Sequence, residues 1–351
     1  MAGLEELGWD DFFATAFAAL GDPTLAPARV TADYGTSFLV ESTQGARDAR
    51  LGSALQQAGQ RVAVGDWVAV RDQPDAAQIC EVLPRRSAVR RKGPAAGAGQ
   101  QVLAANVDLV LIASALGTDF NPRRIERLLT VAFQSNAAPV VVLTKADLEE
   151  VAPHESQVAE IAPGVPIVAV SALRGEGIEE VRAQIDPGKT AVLVGSSGVG
   201  KSTLINRLLG VELLRTREVH RRGEGRHTTS HRQLIKLPGG GMIIDTPGLR
   251  EIQLWAGEDA LGQVFSDIEA LAQDCRFTDC RHQQEPECAV NAALRDGRLD
   301  PSRLMNYRKL QRELRAIAVR ADARLRIEER RKWRLIHRSA QRRVGEKRGW
   351  E

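Results

Sequence analysis

Apolar and polar positions change rhythm three times along the chain. Over residues 1–26, Leu4, Trp9, Phe12, Phe13, Phe17 and Leu20 recur mostly at three- to five-residue spacing, which predicts an amphipathic helix in a leader segment. Residues 27–88 carry short alternating runs instead (29–33, 37–42, 61–70 and 78–82), set apart by turn residues, with Gly65-Asp66 interrupting the third. Strands of this length predict a compact β-barrel, and the span suits five strands of the oligonucleotide-binding (OB) type. From 102 to 254, apolar strands are expected at 109–114, 139–143, 167–170, 191–194, 234–237 and 242–244, with helical stretches between them. Continuous apolar strands spaced by helices predict a mostly parallel sheet covered on both faces. From 258 onward the pattern is helical, with a Cys/His insertion, and 303–335 reads as mostly helix. The expected chain is therefore multidomain: leader 1–26, OB-type β-barrel 27–92, a Gly/Ala-rich linker 93–101, an α/β domain 102–257, a mostly helical domain 258–335 and a basic tail 336–351.

Composition adds exclusions. With 351 residues, 43% apolar and 26% charged, the chain is not collagen-like, wholly disordered or a coiled coil alone. Its longest apolar stretch, around 107–116, is interrupted by Asp108 and is too short to span a bilayer. The N-terminus carries Glu5, Glu6, Asp10 and Asp11 and no basic region, so no signal peptide is expected. These features predict a cytoplasmic protein with no membrane partner. The net charge of +3 hides an asymmetry: residues 320–351 hold twelve Lys/Arg against five Asp/Glu, a local +7, which leaves −4 on the rest. The run 85–92 and the cluster Arg215, Arg217, Arg221, Arg222 and Arg226 are further basic zones. Such zones predict a polyanionic partner held by phosphate neutralisation.

The strongest chemical signal is Gly195-Ser196-Ser197-Gly198-Val199-Gly200-Lys201-Ser202, followed by Thr203 and a helix-forming run and preceded by an apolar strand. Glycines let successive backbone N–H groups approach phosphate oxygens, and the helix N-terminus adds its dipole. Lys201 is expected on the β- and γ-phosphates, and Ser202 on Mg²⁺. Thr144-Lys145-Ala146-Asp147 follows another apolar strand and resembles the guanine motif of GTPases, whose first residue is usually Asn. A carboxylate at Asp147 can accept from the guanine N1–H and 2-amino group, a donor pair adenine lacks. The Lys145 stem can lie over the base. Ser171-Ala172-Leu173 resembles the loop that backs the base. Asp245-Thr246-Pro247-Gly248 places Asp245 for the Mg²⁺ shell and the Gly248 N–H for the γ-phosphate. Within Gly225-Arg226-His227-Thr228-Thr229, one of the two threonines is expected to complete the metal shell, Thr229 being preferred. Leu249 stands where many GTPases have a water-orienting glutamine. His227 is the expected substitute, with His220 and His231 as competitors.

The base motif and Ser-Ala precede the phosphate loop, whereas a usual GTPase has them last. The parts are complete but rotated, so the chain looks like a circularly permuted GTPase. Rotation makes the segment from Asp245 lead directly into the C-terminal region, a route by which nucleotide state could pull on it. Near the C-terminus, Cys275, Cys280, His282 and Cys288 supply three thiolates and one imidazole at short spacings, a set suited to one tetrahedral structural Zn²⁺.

Together these features resemble the ribosome small-subunit-dependent GTPase family (RsgA, also called YjeQ), over roughly 27–320. The resemblance rests also on Val82-Leu83-Pro84-Arg85-Arg86-Ser87, Ala105-Asn106-Val107-Asp108, Asp119-Phe120-Asn121, Arg124-Ile125-Glu126-Arg127 and Glu285-Pro286-Glu287-Cys288-Ala289-Val290. It implies Mg²⁺-dependent GTP hydrolysis stimulated by the small ribosomal subunit during late maturation, with the barrel and zinc domains on ribosomal RNA. GTP/GDP, the small subunit and its rRNA are the expected partners, and a monomer is expected. The alternatives are a nucleotide-gated RNA scaffold whose hydrolysis only times release, a permuted GTPase for another RNA, and an ATPase or small-molecule kinase.

Overall fold

The computed structural model of the chain describes residues 3–92, 100–211, 232–245 and 259–322, and beyond them 324, 325, 327, 330, 331 and 334. It divides into two compact units, Met1–Gln253 and Leu254–Glu351.

The first unit opens with a 3-10 turn, Glu5–Leu7, and helix α1, Asp11–Ala18, capped by the Asp10 carboxylate accepting from the Phe12 N–H. The leader is thus two short helical pieces rather than one helix, and it is packed. Leu4, Leu7, Trp9 and Phe13 are buried, and the Trp9 ring meets Trp67 edge-on at 4.7 Å. Strands β1 (Ala26–Asp33), β2 (Phe38–Ser42), β3 (Gly45–Leu51), β4 (Trp67–Arg71) and β5 (Ala77–Val82) follow, with helix α2 (Ser53–Gln57) between β3 and β4. They pair in the order β1-β2-β3-β5-β4, and β4 returns to β1, so the barrel closes with five strands. Its core is Val30, Val40, Leu55, Val68, Val70 and Ile79.

The basic run after β5 lies outside this barrel. Strand β6 (Ala88–Lys92) pairs with β7 (Gln100–Ala105) in a separate two-stranded ribbon, so the second half of the expected barrel end and the last residues of the expected linker are strands of one hairpin. Residues 93–99 lie outside the described residues. Arg85 and Arg86 are both paired with carboxylates, the first with a buried one and the second at the surface. Both oxygens of fully buried Asp66 receive Arg85, at 2.6 Å each. Arg86 pairs with Asp10 at 2.5 Å and lies over the Phe12 and Phe13 rings.

Next come β8 (Leu109–Ala115), α3 (Pro122–Gln134), β9 (Ala138–Thr144), α4 (Ala152–Ile161), β10 (Ile167–Val170), α5 (Ile178–Ala183), β11 (Thr190–Gly195), α6 (Lys201–Leu209), β12 (Arg232–Lys236) and β13 (Met242–Asp245). The order β10-β9-β8-β11-β13 is parallel throughout, and β12 adds an antiparallel edge. Leu111, Val140, Val142, Leu193 and Ile243 form one core with Val181, Leu204 and Leu208 of α5 and α6. The alternating Val110, Ile112 and Val141 are also buried, and α3 packs on β8 and β9. Both faces are thus covered, as continuous apolar strands require.

Strand β12 does not end the sheet. Gln233 and Arg232 pair with Ala32 and Asp33 of β1, Lys236 bonds Glu41 of β2 at 2.7 Å, and Arg232 stands 3.6 Å from Asp33. Barrel and parallel sheet are therefore one hydrogen-bonded surface. Fully buried Arg29 of β1 strengthens the junction, donating to the carbonyls of Leu7, Gly65 and Asn106 and to the Thr190 hydroxyl. Burial pulls its guanidinium down to about 10, the charges of Asp108 and Asp66 opposing.

The second unit holds α7 (Asp259–Val264), α8 (Ser266–Gln273), α9 (Ala289–Arg295) and α10 (Pro301–Ala321). Phe265, Ile268, Val290, Leu304 and Leu310 are buried, and Arg303 grips Asp267 with two bonds of 2.7 Å. The long helix is interrupted at Asp322, which is extended and whose carboxylate accepts from the Arg324 N–H, and the described residues beyond it (324, 325, 327, 330, 331 and 334) are helical again. Among the described residues no helix is long and apolar enough to cross a membrane.

Candidate functional site

Strand β11 is buried along its whole length, and at its end the chain leaves the sheet as the loop 195–200. Gly195 lies so close to the neighbouring strand that a Cβ would stand 2.4 Å from the Ala113 carbonyl oxygen. Gly200, just before α6, has φ 98°, a conformation side chains resist. Buried Val199 pins the loop to the core, while Ser197 and Gly198 are exposed at its crest. The first N–H groups of α6 have no partner within the helix, which leaves them for an anion. Lys201 bends back over the loop, its Nζ donating to the carbonyls of Gly195 at 2.8 Å and Ser196 at 2.5 Å. Ser202 is exposed and Thr203 half-buried beside it.

The base motif joins this loop directly. Thr144 ends β9, is 4% exposed, and donates its hydroxyl to the Val199 carbonyl at 2.7 Å. A threonine here therefore supplies a side-chain tie to the phosphate loop. Lys145 is exposed, with φ 57°. Ala146 N–H donates to Val170 O at 3.0 Å, which locks the motif onto β10. The Asp147 carboxylate accepts the hydroxyl of fully buried Ser171 at 2.6 Å, and Ser171 exchanges two backbone bonds of 3.1 Å with Glu176. That hydroxyl bond, a backbone N–H and the charges of Arg174 and Lys145 hold the Asp147 carboxyl below its ordinary value. Ala172 is half-buried and Leu173 is 78% exposed.

Asp245 ends β13, the parallel neighbour of β11. Burial pushes its carboxyl up, and the nearby Lys201 ammonium opposes that. Lys201 and Asp245 thus share one end of the sheet with the base motif. His227, Thr228, Thr229 and Gly248 lie outside the described residues, as do His220, His231 and Leu249. One residue at the loop carried the resemblance in the sequence but was given no part in the site. Asp119, after β8, accepts the Ser196 hydroxyl at 2.6 Å. The available signal was its place in the loop following a strand adjacent to β11.

In the second unit the ligand atoms of Cys275, Cys280, His282 and Cys288 all lie within 4.8 Å of one another. His282 Nδ1 is 3.6 Å from Cys275 Sγ and 3.5 Å from Cys288 Sγ, and those two sulfurs are 3.9 Å apart. Around tetrahedral zinc, ordinary bond lengths put sulfurs about 3.8 Å apart and sulfur and nitrogen about 3.6 Å apart. The cluster therefore fits the ion in size as well as in donor type. The loop is shaped for it: the Glu285 carboxylate accepts the N–H groups of Arg281, Gln283 and Gln284, and Arg308 holds the His282 carbonyl. Burial alone would raise the Cys275 thiol, but the N–H groups of Val290 and Ala289 at the start of α9, together with the Cys288 and Cys280 thiols, hold it low.

A family model described as RsgA GTPase matches residues 82–255. A small ribosomal subunit biogenesis GTPase RsgA of Opitutus terrae is 46% identical across 99% of this chain and 100% of its own length. The chain belongs to the RsgA GTPase family. An RsgA of Syntrophotalea carbinolica is 40% identical over 97% of each chain. Among solved structures, YjeQ from Thermotoga maritima superimposes with a TM-score of 0.63 at 29% identity, over 83% of this chain and 98% of that one. YloQ, a circularly permuted GTPase, shares the fold with a TM-score of 0.58 at 23% identity, over 83% and 96%. RsgA membership makes the chain a GTP hydrolase, and it accounts for a base motif that precedes the phosphate loop in sequence yet is bonded to it in space.

Proposed function

We propose that this RsgA protein hydrolyses GTP in the biogenesis of the small ribosomal subunit and recognises that subunit through its rRNA. The observation that carries the reading is the Thr144–Val199 bond, which unites base motif and phosphate loop in a chain similar to RsgA proteins along its whole length. Asp147 and the Lys145 stem take guanine, and Ser171, Ala172 and Leu173 back it. The backbone of 195–200 takes the phosphates together with Lys201, Thr203 and Thr228. Ser202, Asp245 and Thr229 would hold Mg²⁺, which when bound neutralises phosphate charge. The Gly248 N–H reports the γ-phosphate. Leu249 cannot orient water, so intrinsic turnover is slow, and His227 positions the attacking water when the subunit stimulates turnover. Cys275, Cys280, His282 and Cys288 would hold one Zn²⁺ as a structural tie. The protein acts as a cytoplasmic monomer, where its ribosomal partner is assembled.

The test is GTP turnover with and without purified small subunits, using large subunits and ATP as controls. Stimulation by orders of magnitude with small subunits and GTP alone supports the reading, and binding should weaken with added salt. Turnover unchanged by any subunit overturns it.

A further inference from the structure

The loop 116–121 joins β8 to α3 and is anchored at both ends. Leu116 N–H donates to the Thr144 carbonyl at 2.9 Å, in register with the base-motif strand. Asn121 caps α3, its Oδ1 accepting from Arg123 N–H at 3.0 Å and Arg124 N–H at 3.2 Å. Between them the Phe120 ring stands edge-on to the His154 imidazole at 4.6 Å. Asp119 is therefore presented from a fixed support, and both its oxygens are engaged. Oδ2 accepts the Ser196 hydroxyl at 2.6 Å, and Oδ1 accepts Arg124 Nη1 at 2.8 Å.

Ser196 is thereby gripped twice, by Asp119 at its side chain and by Lys201 at its carbonyl. Lys145 of the base motif lies close enough for its charge to act on the Asp119 carboxyl. A carboxylate beside a loop that receives phosphates would repel them unless neutralised, and Arg124 supplies that neutralisation. The Asp119–Arg124 pair itself is more than a third exposed on both sides, so it adds little to fold stability. We infer that Asp119 is a positioning residue for the nucleotide, holding Ser196 so that the phosphate loop is preformed, with Arg124 cancelling its charge toward the phosphates. The inference rests on the GTPase reading above.

It is tested on the full chain by titrating fluorescent N-methylanthraniloyl GDP and the matching non-hydrolysable GTP analogue, with thermal melting and steady-state kinetics in parallel. Asp119→Ala should raise Kd for both nucleotides about tenfold, the scale of one hydrogen bond to a charged acceptor. KM should rise with Kd, kcat should stay within about twofold, and the melting temperature should hold. Asp119→Asn, which keeps an acceptor for Ser196, should lose less. Arg124→Ala leaves the carboxylate bare and should weaken the triphosphate more than the diphosphate, and adding Asp119→Asn should remove that excess. Wild-type affinity in both Asp119 variants overturns the inference, as does a loss that follows the melting temperature and treats Arg124→Ala no differently for the two nucleotides. A wild-type chain that binds neither nucleotide overturns the GTPase reading instead.

Discussion

The phosphate loop and the Cys/His loop are both irregular segments held in one conformation, and they are held by opposite means. Loop 195–200 rests on buried strands: Val199 is seated in the core, Thr144 bonds its carbonyl, Asp119 takes Ser196, and Lys201 closes over the top. Loop 275–288 has little beneath it. Arg276, Phe277, Thr278, Asp279, Gln283, Gln284 and Glu287 are exposed, and His282 and Glu287 sit at φ 57° and 55°, which costs energy for residues with side chains. What this loop has at its centre is four metal-binding atoms. The first loop takes its shape from the core beneath it, whereas the second takes its shape from hydrogen bonds of Glu285 and Arg308 around four metal-binding atoms.

The largest effect should come from taking the metal away. Binding free energies of structural zinc run to about 10–16 kcal/mol and are folding free energy. Chelation, or Cys288→Ser, should abolish bound zinc by elemental analysis and expose amides of 259–321 to hydrogen exchange, while those of β8 and β11 keep their protection. Equal loss in both units would end the contrast. Next in size is Thr144→Val, which leaves the Val199 carbonyl without its partner in a buried place. It should cost about 1–3 kcal/mol by denaturant unfolding of the first unit and weaken GDP binding, with zinc content untouched. The smallest effect appears in acid. Folding depresses the Asp147 carboxyl below its ordinary value, so the stability it contributes is present above the ordinary value and lost as pH falls through the folded one. Nucleotide affinity should thus lose nothing to Asp147 protonation between pH 7 and 5, whereas bound zinc should be released as its thiolates protonate. Ser171→Ala, which returns the carboxyl toward its ordinary value, should move the acid loss of GDP binding to higher pH.

Much of the nucleotide end was legible because its chemistry is local. The loop 195–202 and the motif 144–147 are contiguous, and each follows an apolar strand that reads by itself. What stayed hidden depends on distant partners. Strand β3, Gly45-Ala46-Arg47-Asp48-Ala49-Arg50-Leu51, went unread because Ala49 alone is buried in it, so no alternation is visible. Arg85 and Arg86 read as a basic surface because their acidic partners, Asp66 and Asp10, lie far off in sequence. The leader read as one amphipathic helix, and its packing stayed hidden because its anchor is Trp67. Thr144 read only as a departure from the usual Asn because its acceptor, Val199, lies 55 residues on and is brought near by the fold.

The pairing of β1 with β12 sets a timetable for synthesis. The barrel's strands are complete once Val82 has emerged, and closure through β4 needs nothing later. Its partner strand ends at Lys236, so the docking edge waits through about 150 more residues, roughly 8–30 s at ordinary elongation rates. An unpaired edge on a nascent chain is an invitation to a wrong neighbour. This one is short and carries Asp33, with Glu41 on the adjoining strand. The charges that finally meet Arg232 and Lys236 can therefore keep the waiting edge from joining a copy of itself, because like charges would face one another.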